Sequence, residues 1–236
     1  MRLSRNLIAL HTVLILAGVI GATAGTQSAS ILRPHEPSPN LGEIKLKMYA
    51  YHDCTDPLNC YASDIEAQTD KAIQFLEQSV DAYPRQKLAL VLDIDETALS
   101  NWDEIKQDDF GYISNDWDAW IDKRIGCAIP GTMSLYRDAL KRGVAVFFIT
   151  GRPEAQRSAT SDNLKSAGFE TWEKLFMRGT HPNGQLVEVF KATERQKIVD
   201  AGFRMIVNVG DQDSDLIGSP EADHSIKLPN PFYFIP

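Results

Sequence analysis

The sequence is short of cysteine, of positive charge and of long apolar runs, and each shortage removes a class of protein. Three cysteines in 236 residues, Cys54, Cys60 and Cys127, are too few for a disulfide scaffold and have no C-x-x-C spacing for a zinc site. Twenty-four basic residues against 32 acidic ones leave a net charge of −8. A nucleic-acid polymer as partner is therefore not expected, because phosphate chains need clustered Lys and Arg. Small anionic substrates stay open wherever positive charge is focused. The one long apolar run, Leu7 to Ile20, is short for a membrane span. There is no internal repeat.

That run is instead placed like the core of an export signal. Arg2 and Arg5 precede it and Ala22-Thr23-Ala24 follows, which is the order of a secretory signal peptide over residues 1–24, cleaved near Ala24. No cysteine stands at the expected cleavage site, so no lipid attachment and no stable membrane anchor are expected. A secreted or periplasmic location follows. Residues 25–40 carry Ser28, Ser30, Pro34, Pro37, Ser38 and Pro39 and read as a linker, leaving residues 41–236 as the folded domain. In an oxidising compartment Cys54 and Cys60 are expected to bridge, with roughly 2 kcal/mol of loop entropy for so short a ring.

Within the domain, apolar residues at helical spacing from Cys60 to Ala82 predict an amphipathic helix ended by Pro84. Leu88 to Leu92 is unbroken aliphatic, as a strand buried on both faces requires. A helix over residues 131–142, a strand from Val144 to Ile149, a helix opened by Pro153 and ended at Gly168, and a short strand at Leu175-Phe176-Met177 follow. Thr193 and Gln196 read as a capping box that starts a further helix, closed by Gly202, before a strand from Phe203 to Val209. This alternation predicts an α/β fold, a three-layer Rossmann-like parallel sheet with helices on both faces.

Three of these strands end in polar residues of complementary kinds. Asp93 and Asp95 follow the first, Thr150-Gly151-Arg152 the second, and Asp211 and Asp215 the third; Lys191 lies before the helix preceding that third strand. Ligands of such sheets bind in the crevice beyond the strand ends. Phosphoryl transfer needs positioning and charge neutralisation more than covalent chemistry, and each part is present. Asp93 is the candidate nucleophile and Asp95 the candidate acid and base. Thr150, Gly151 and Lys191 are the candidate phosphate-binding residues. Asp93, the Asp95 carbonyl and Asp211 make an oxygen set suited to Mg²⁺, with Asp215 in support. Arg152 and Arg195 either touch phosphate or pair with carboxylates, and Asp213 reads as a solvated helix-start charge. His181 and His224 read as structural or exposed. The traces of other phosphatase chemistries, C-x₅-R, R-H-G and an N-H pair, are missing.

The motifs D-x-D-x-T, T-G-R, Lys191 and G-D-x-x-x-D, in that order, resemble those of the haloacid dehalogenase superfamily. The segments Leu92 to Asn101, Phe190 to Arg195 and Gly210 to Leu216 resemble its acid phosphatase branch, which includes plant vegetative storage proteins and bacterial class C acid phosphatases. The resemblance implies a Mg²⁺-dependent acid phosphatase that forms an aspartyl-phosphate on Asp93 and takes small phosphomonoesters. An exported storage or binding protein on the same fold, with little catalysis, is the alternative. Between the first two motifs the chain is rich in aromatics: Trp102, Phe110, Tyr112, Trp117 and Trp120. This insert, about residues 98–130, is expected to form a small helical cap, and Trp102, Tyr112 and Trp117 to form a stacking platform for a nucleobase or aryl leaving group. The aromatics serve equally well as the cap's own core.

Overall fold

The aliphatic run at residues 88–92 becomes the centre of the sheet, and the rest of the domain is arranged around it. The computed structural model describes residues 38–56, 58–179 and 186–235. The expected signal peptide, nearly all of the expected linker, and His181 lie outside the described residues.

In chain order the elements are α1 (Leu41–His52), α2 (Tyr61–Ala82), β1 (Lys87–Leu92), β2 (Leu99–Ser100), α3 (Trp102–Gln107), α4 (Ser114–Lys123) and β3 (Cys127–Ala128). Then come α5 (Pro130–Lys141), β4 (Ala145–Pro153), a 3₁₀ turn (Glu154–Gln156), α6 (Arg157–Ser166) and β5 (Lys174–Arg178). The order closes with α7 (Val187–Asp200), β6 (Phe203–Gly210), α8 (Asp213–Leu216) and β7 (His224–Lys227). The main sheet runs β5-β4-β1-β6-β7 with every pairing parallel. The expected three-layer α/β architecture is therefore the observed one.

Alternation along β1 explains why its sequence shows none. Leu88, Leu90 and Leu92 pack in one core with Ile65, Ala72 and Leu76 of α2 and Leu135 and Tyr136 of α5. Ala89 and Val91 pack in the other with Phe147, Phe176 and Phe190 and Ile198 of α7. Leu90 and Leu92 are wholly inaccessible, and each such burial contributes about 1.5–3 kcal/mol.

Because β1 is flanked by β4 on one side and β6 on the other, Asp93, Gly151 and Asp211 leave neighbouring strand ends together. The insert after β1 folds as expected into a helical cap, α3 and α4, set between the antiparallel pair β2–β3. Cys54 and Cys60 are bridged between α1 and α2, and Cys127 is free and exposed.

Two local expectations are corrected. Helix α7 begins at Val187, not near Thr193, and the Thr193 hydroxyl donates to the Val189 carbonyl four residues back at 2.7 Å instead of capping. Lys191 is consequently inside the helix. Pro153 ends β4 and is followed by a 3₁₀ turn before α6 starts at Arg157.

Candidate active site

The loop after β1 brings its carboxylates to the crevice by a tight reversal. The amides of Ala98 and Leu99 both donate to the Ile94 carbonyl, at 2.9 and 2.8 Å, and Glu96 sits in the left-handed region at φ 51°. For a glutamate that is an uncommon conformation. Glu96 is held there by its own side chain, which accepts from the Asn101 amide at 2.6 Å, the Asn101 side chain at 3.1 Å and the Tyr233 hydroxyl at 2.9 Å. Burial pushes its carboxyl up to about 8, with Asp95 adding to the rise and the Asn101 bonds opposing it.

Asp93 is buried, and the Lys191 ammonium donates to its Oδ1 at 2.6 Å. The same ammonium contacts Asp215, so one cation from α7 ties the ends of β1 and of the loop after β6. Burial works to lower the Lys191 pKa, but Asp215 and Asp93 outweigh it and hold it above its ordinary value. Burial raises Asp93 well above the usual carboxylate range; Lys191 opposes this and Asp215, Asp211 and Asp95 add to it.

Gly210 makes this geometry possible. A Cβ there would stand 2.3 Å from the Asp215 Cβ and Oδ2, so only glycine lets the Asp215 carboxylate press on the strand end. Asp215 Oδ2 in turn accepts from the Gln212 amide at 2.8 Å.

Carboxylate oxygens of Asp93, Asp211 and Asp215 lie within 4.8 Å of one another, all three residues buried. Burial and Asp215 push Asp211 up to about 6. Three carboxylates closing on one point with a single ammonium between them leave excess negative charge, and hard oxygen donors suit a divalent cation such as Mg²⁺ or Ca²⁺. The donor set therefore fits the cation implied by the motifs.

Asp95 is gripped by Arg152, whose Nε and Nη2 reach Oδ1 at 3.0 and 2.6 Å, and by Asn101 at 2.9 Å. Arg152 thus pairs with a carboxylate, and that carboxylate is in the site. Arg195 does neither of the things expected of it. It is fully buried and donates to the carbonyls of Asp215, Ile217, Gly218 and Pro220, pinning the segment that carries Asp215. Asp213 is exposed, and His224 stacks on Phe75 at 3.9 Å.

The crevice above these residues has a volume of about 610 Å³, and Asp93, Asp95, Gly151, Lys191, Asp211 and Asp215 all line it. Thr150 lies just behind the wall, its hydroxyl accepting from the Arg152 amide at 3.1 Å. Tyr112 and Trp117 face the crevice, with ring centres 6.1 Å apart. Trp102 does not: it is buried in the core, stacked on His52 at 3.7 Å and 4.9 Å from Phe232. Its apolar area is better satisfied between α1 and the last segment than over a wet crevice. Trp120 is also buried, donating its indole N–H to Asn101 at 2.9 Å.

Sequence reasoning missed the partners contributed from far along the chain. Gln156 and the segment 230–235 carry no motif, while Glu96 and Asn101 stand inside the Leu92–Asn101 segment without a role of their own in the sequence reading. Phe232, Tyr233, Phe234 and Ile235 nonetheless form one side of the crevice.

Residues 44–236 match the family described as the HAD superfamily, subfamily IIIB (acid phosphatase). Acid phosphatase 1 of Solanum lycopersicum is 37% identical over 178 residues, covering 74% of this chain and 69% of the relative. Vegetative storage protein 2 of Arabidopsis thaliana is 30% identical over 201 residues, covering 77% and 74%. The solved class C acid phosphatase of Bacillus anthracis shares the fold, with a TM-score of 0.66 at 22% identity over 81% of this chain and 86% of that one.

Proposed function

Since the chain belongs to the subfamily IIIB acid phosphatases of the HAD superfamily, we propose that it is an exported, Mg²⁺-dependent enzyme that hydrolyses phosphomonoesters through an aspartyl-phosphate on Asp93. The observation that carries this reading is the meeting of Asp93, Lys191, Asp211 and Asp215 at one strand end, with carboxylate oxygens within 4.8 Å. Export rests on the leader pattern over residues 1–24. Among the described residues no helix is long and apolar enough to cross a membrane.

Asp93 attacks phosphorus with a carboxylate oxygen, and the bond from phosphorus to the ester oxygen breaks. Asp95 gives its proton to the departing oxygen, then takes one from the water that attacks the acyl phosphate and frees inorganic phosphate and Asp93. Arg152 and Asn101 orient Asp95 for both steps. Lys191 neutralises charge at the phosphoryl oxygens and the Gly151 amide donates to them, while the Thr150 hydroxyl, behind the crevice wall, accepts from the Arg152 amide and braces the loop. Mg²⁺, held by Asp93, the Asp95 carbonyl and Asp211 with Asp215 in support, supplies further charge neutralisation when bound.

The mouth favours a planar leaving group. Tyr112 and Trp117 of the cap and Phe234 of the opposite side bound the same crevice, and each base–aromatic contact contributes on the order of 1–3 kcal/mol. Nucleotides and aryl phosphates are the substrate classes this fits. Quenching turnover with borohydride, which reduces an acyl phosphate to an alcohol, tests the covalent step. Homoserine at position 93 by peptide mass analysis is expected; unmodified Asp93 during turnover would refute it.

A further inference from the structure

The segment that follows β7 returns across the crevice and fastens to its acidic wall. Leu228 donates its amide to the Gly210 carbonyl at 2.8 Å, and Tyr233 reaches Glu96. One of its bonds, from Asn230, falls on Asp211, and the side chain of Gln212 meets it there. Asn230 Nδ2 donates to Asp211 Oδ2 at 2.7 Å, and Gln212 Nε2 donates to the same oxygen at 2.7 Å.

The orientation of both amides is forced. Asn230 Oδ1 accepts from the Phe232 amide at 2.9 Å, and Gln212 Oε1 accepts from the Ile235 amide at 3.1 Å. A backbone N–H can only donate, so each side-chain oxygen must face the strap and each NH₂ must face Asp211.

A carboxylate oxygen has two lone pairs in its plane, and two donors occupy those of Oδ2. Oδ1 accepts one bond, from the Thr97 hydroxyl at 3.1 Å, and keeps one lone pair. We infer that Asn230 is a positioning residue that, with Gln212, restricts Asp211 to one-oxygen coordination and so biases the site toward Mg²⁺ over Ca²⁺. Mg²⁺ demands a near-ideal octahedron of single oxygens, whereas Ca²⁺ accepts carboxylates through both oxygens at longer distances. Freeing Oδ2 removes the restriction. Groups around a metal ligand that fix its orientation change metal affinity about 10–100-fold when lost.

This inference rests on the reading of the acidic cluster as a cation site, and the test separates the two. Mg²⁺ and Ca²⁺ are titrated calorimetrically into the folded chain and into Asn230→Ala, with no substrate present. The parent is expected to bind Mg²⁺, and Asn230→Ala to lower the ratio of Mg²⁺ to Ca²⁺ affinity at least about tenfold. General loosening of the fold would weaken both ions together and leave the ratio alone. If Asn230→Ala does not fold, Gln212→Met removes the other donor to Oδ2 and should shift the ratio the same way. A parent that binds neither ion overturns the cation site itself. A parent that binds Mg²⁺ beside a folded variant with an unchanged ratio overturns the role of Asn230 alone.

Discussion

Arg152 and Asp95, 57 residues apart, form a two-pronged ion pair in the wall of the crevice, with Nη2 2.6 Å from Oδ1 and Nε 3.1 Å from Oδ2. Arg152 is itself buried and braced by the Thr160 hydroxyl at 3.2 Å. The pair fixes the carboxylate proposed to protonate the leaving oxygen. Arg152→Lys keeps the charge but loses the planar fork, so kcat is expected to fall about 10²-fold or more with little change in KM. Unaltered kcat in a folded Arg152→Lys protein would show that Asp95 needs no such brace.

Protonation of buried carboxylates gives the metal-free protein a stability that favours acid. Glu96 moves from an ordinary 4.5 to about 8 and Asp211 from 3.8 to about 6 on folding, both chiefly through burial. A raised folded pKa means the stabilisation is whole below the unfolded value and is lost as pH rises through the folded one. The unfolding free energy of the chelated protein, from denaturant titrations, should therefore fall between about pH 4 and pH 8, by several kcal/mol in total. Glu96→Gln should flatten the upper part of that curve; a curve of unchanged slope would remove Glu96 from the account.

The Cys54–Cys60 bridge joins α1 to α2 with a sequence separation of six. Alkylation of the non-reduced protein followed by mass analysis should modify Cys127 alone, and Cys54→Ser with Cys60→Ser should cost roughly 2 kcal/mol by loop entropy. Labelling of all three cysteines in the non-reduced protein would contradict the bridge.

Tyr112 is largely exposed on the crevice rim and Trp117 is half-buried beside it. Tyr112→Ala and Trp117→Ala should lower kcat/KM about tenfold for an aryl phosphate or nucleotide and leave a small aliphatic phosphate nearly unchanged. Equal losses on both substrates would assign these rings to folding of the cap. Trp102→Ala, by contrast, should lower stability by about 3–5 kcal/mol, as a core cavity does.

What was legible in the sequence was what local chemistry dictates. The run from Leu88 to Leu92 is unbroken because both faces of β1 are buried, and Asp93, Lys191 and Asp211 stand in motifs that survive without knowledge of the fold. Helix α1 was not legible, since it buries no residue completely and has no apolar stripe to read. The start of α7 was misread because Thr193 and Gln196 have cap spacing while sitting in mid-helix. Asn230 and Tyr233 were invisible for another reason. Their partners, Asp211 and Glu96, lie 19 and 137 residues away, so only the return of the chain across the sheet brings them together. Trp102 was placed on the crevice by proximity in sequence, whereas the core took it through His52 and Phe232.

The most direct test of the account is the initial rate of phosphomonoester hydrolysis at acidic pH by the purified chain, measured after chelation, after restoring Mg²⁺, and for Asp93→Asn. The account predicts activity that disappears on chelation, returns with Mg²⁺, and drops by several orders of magnitude in a folded Asp93→Asn protein. Turnover indifferent to chelation, or near-normal turnover without the Asp93 carboxylate, would contradict it.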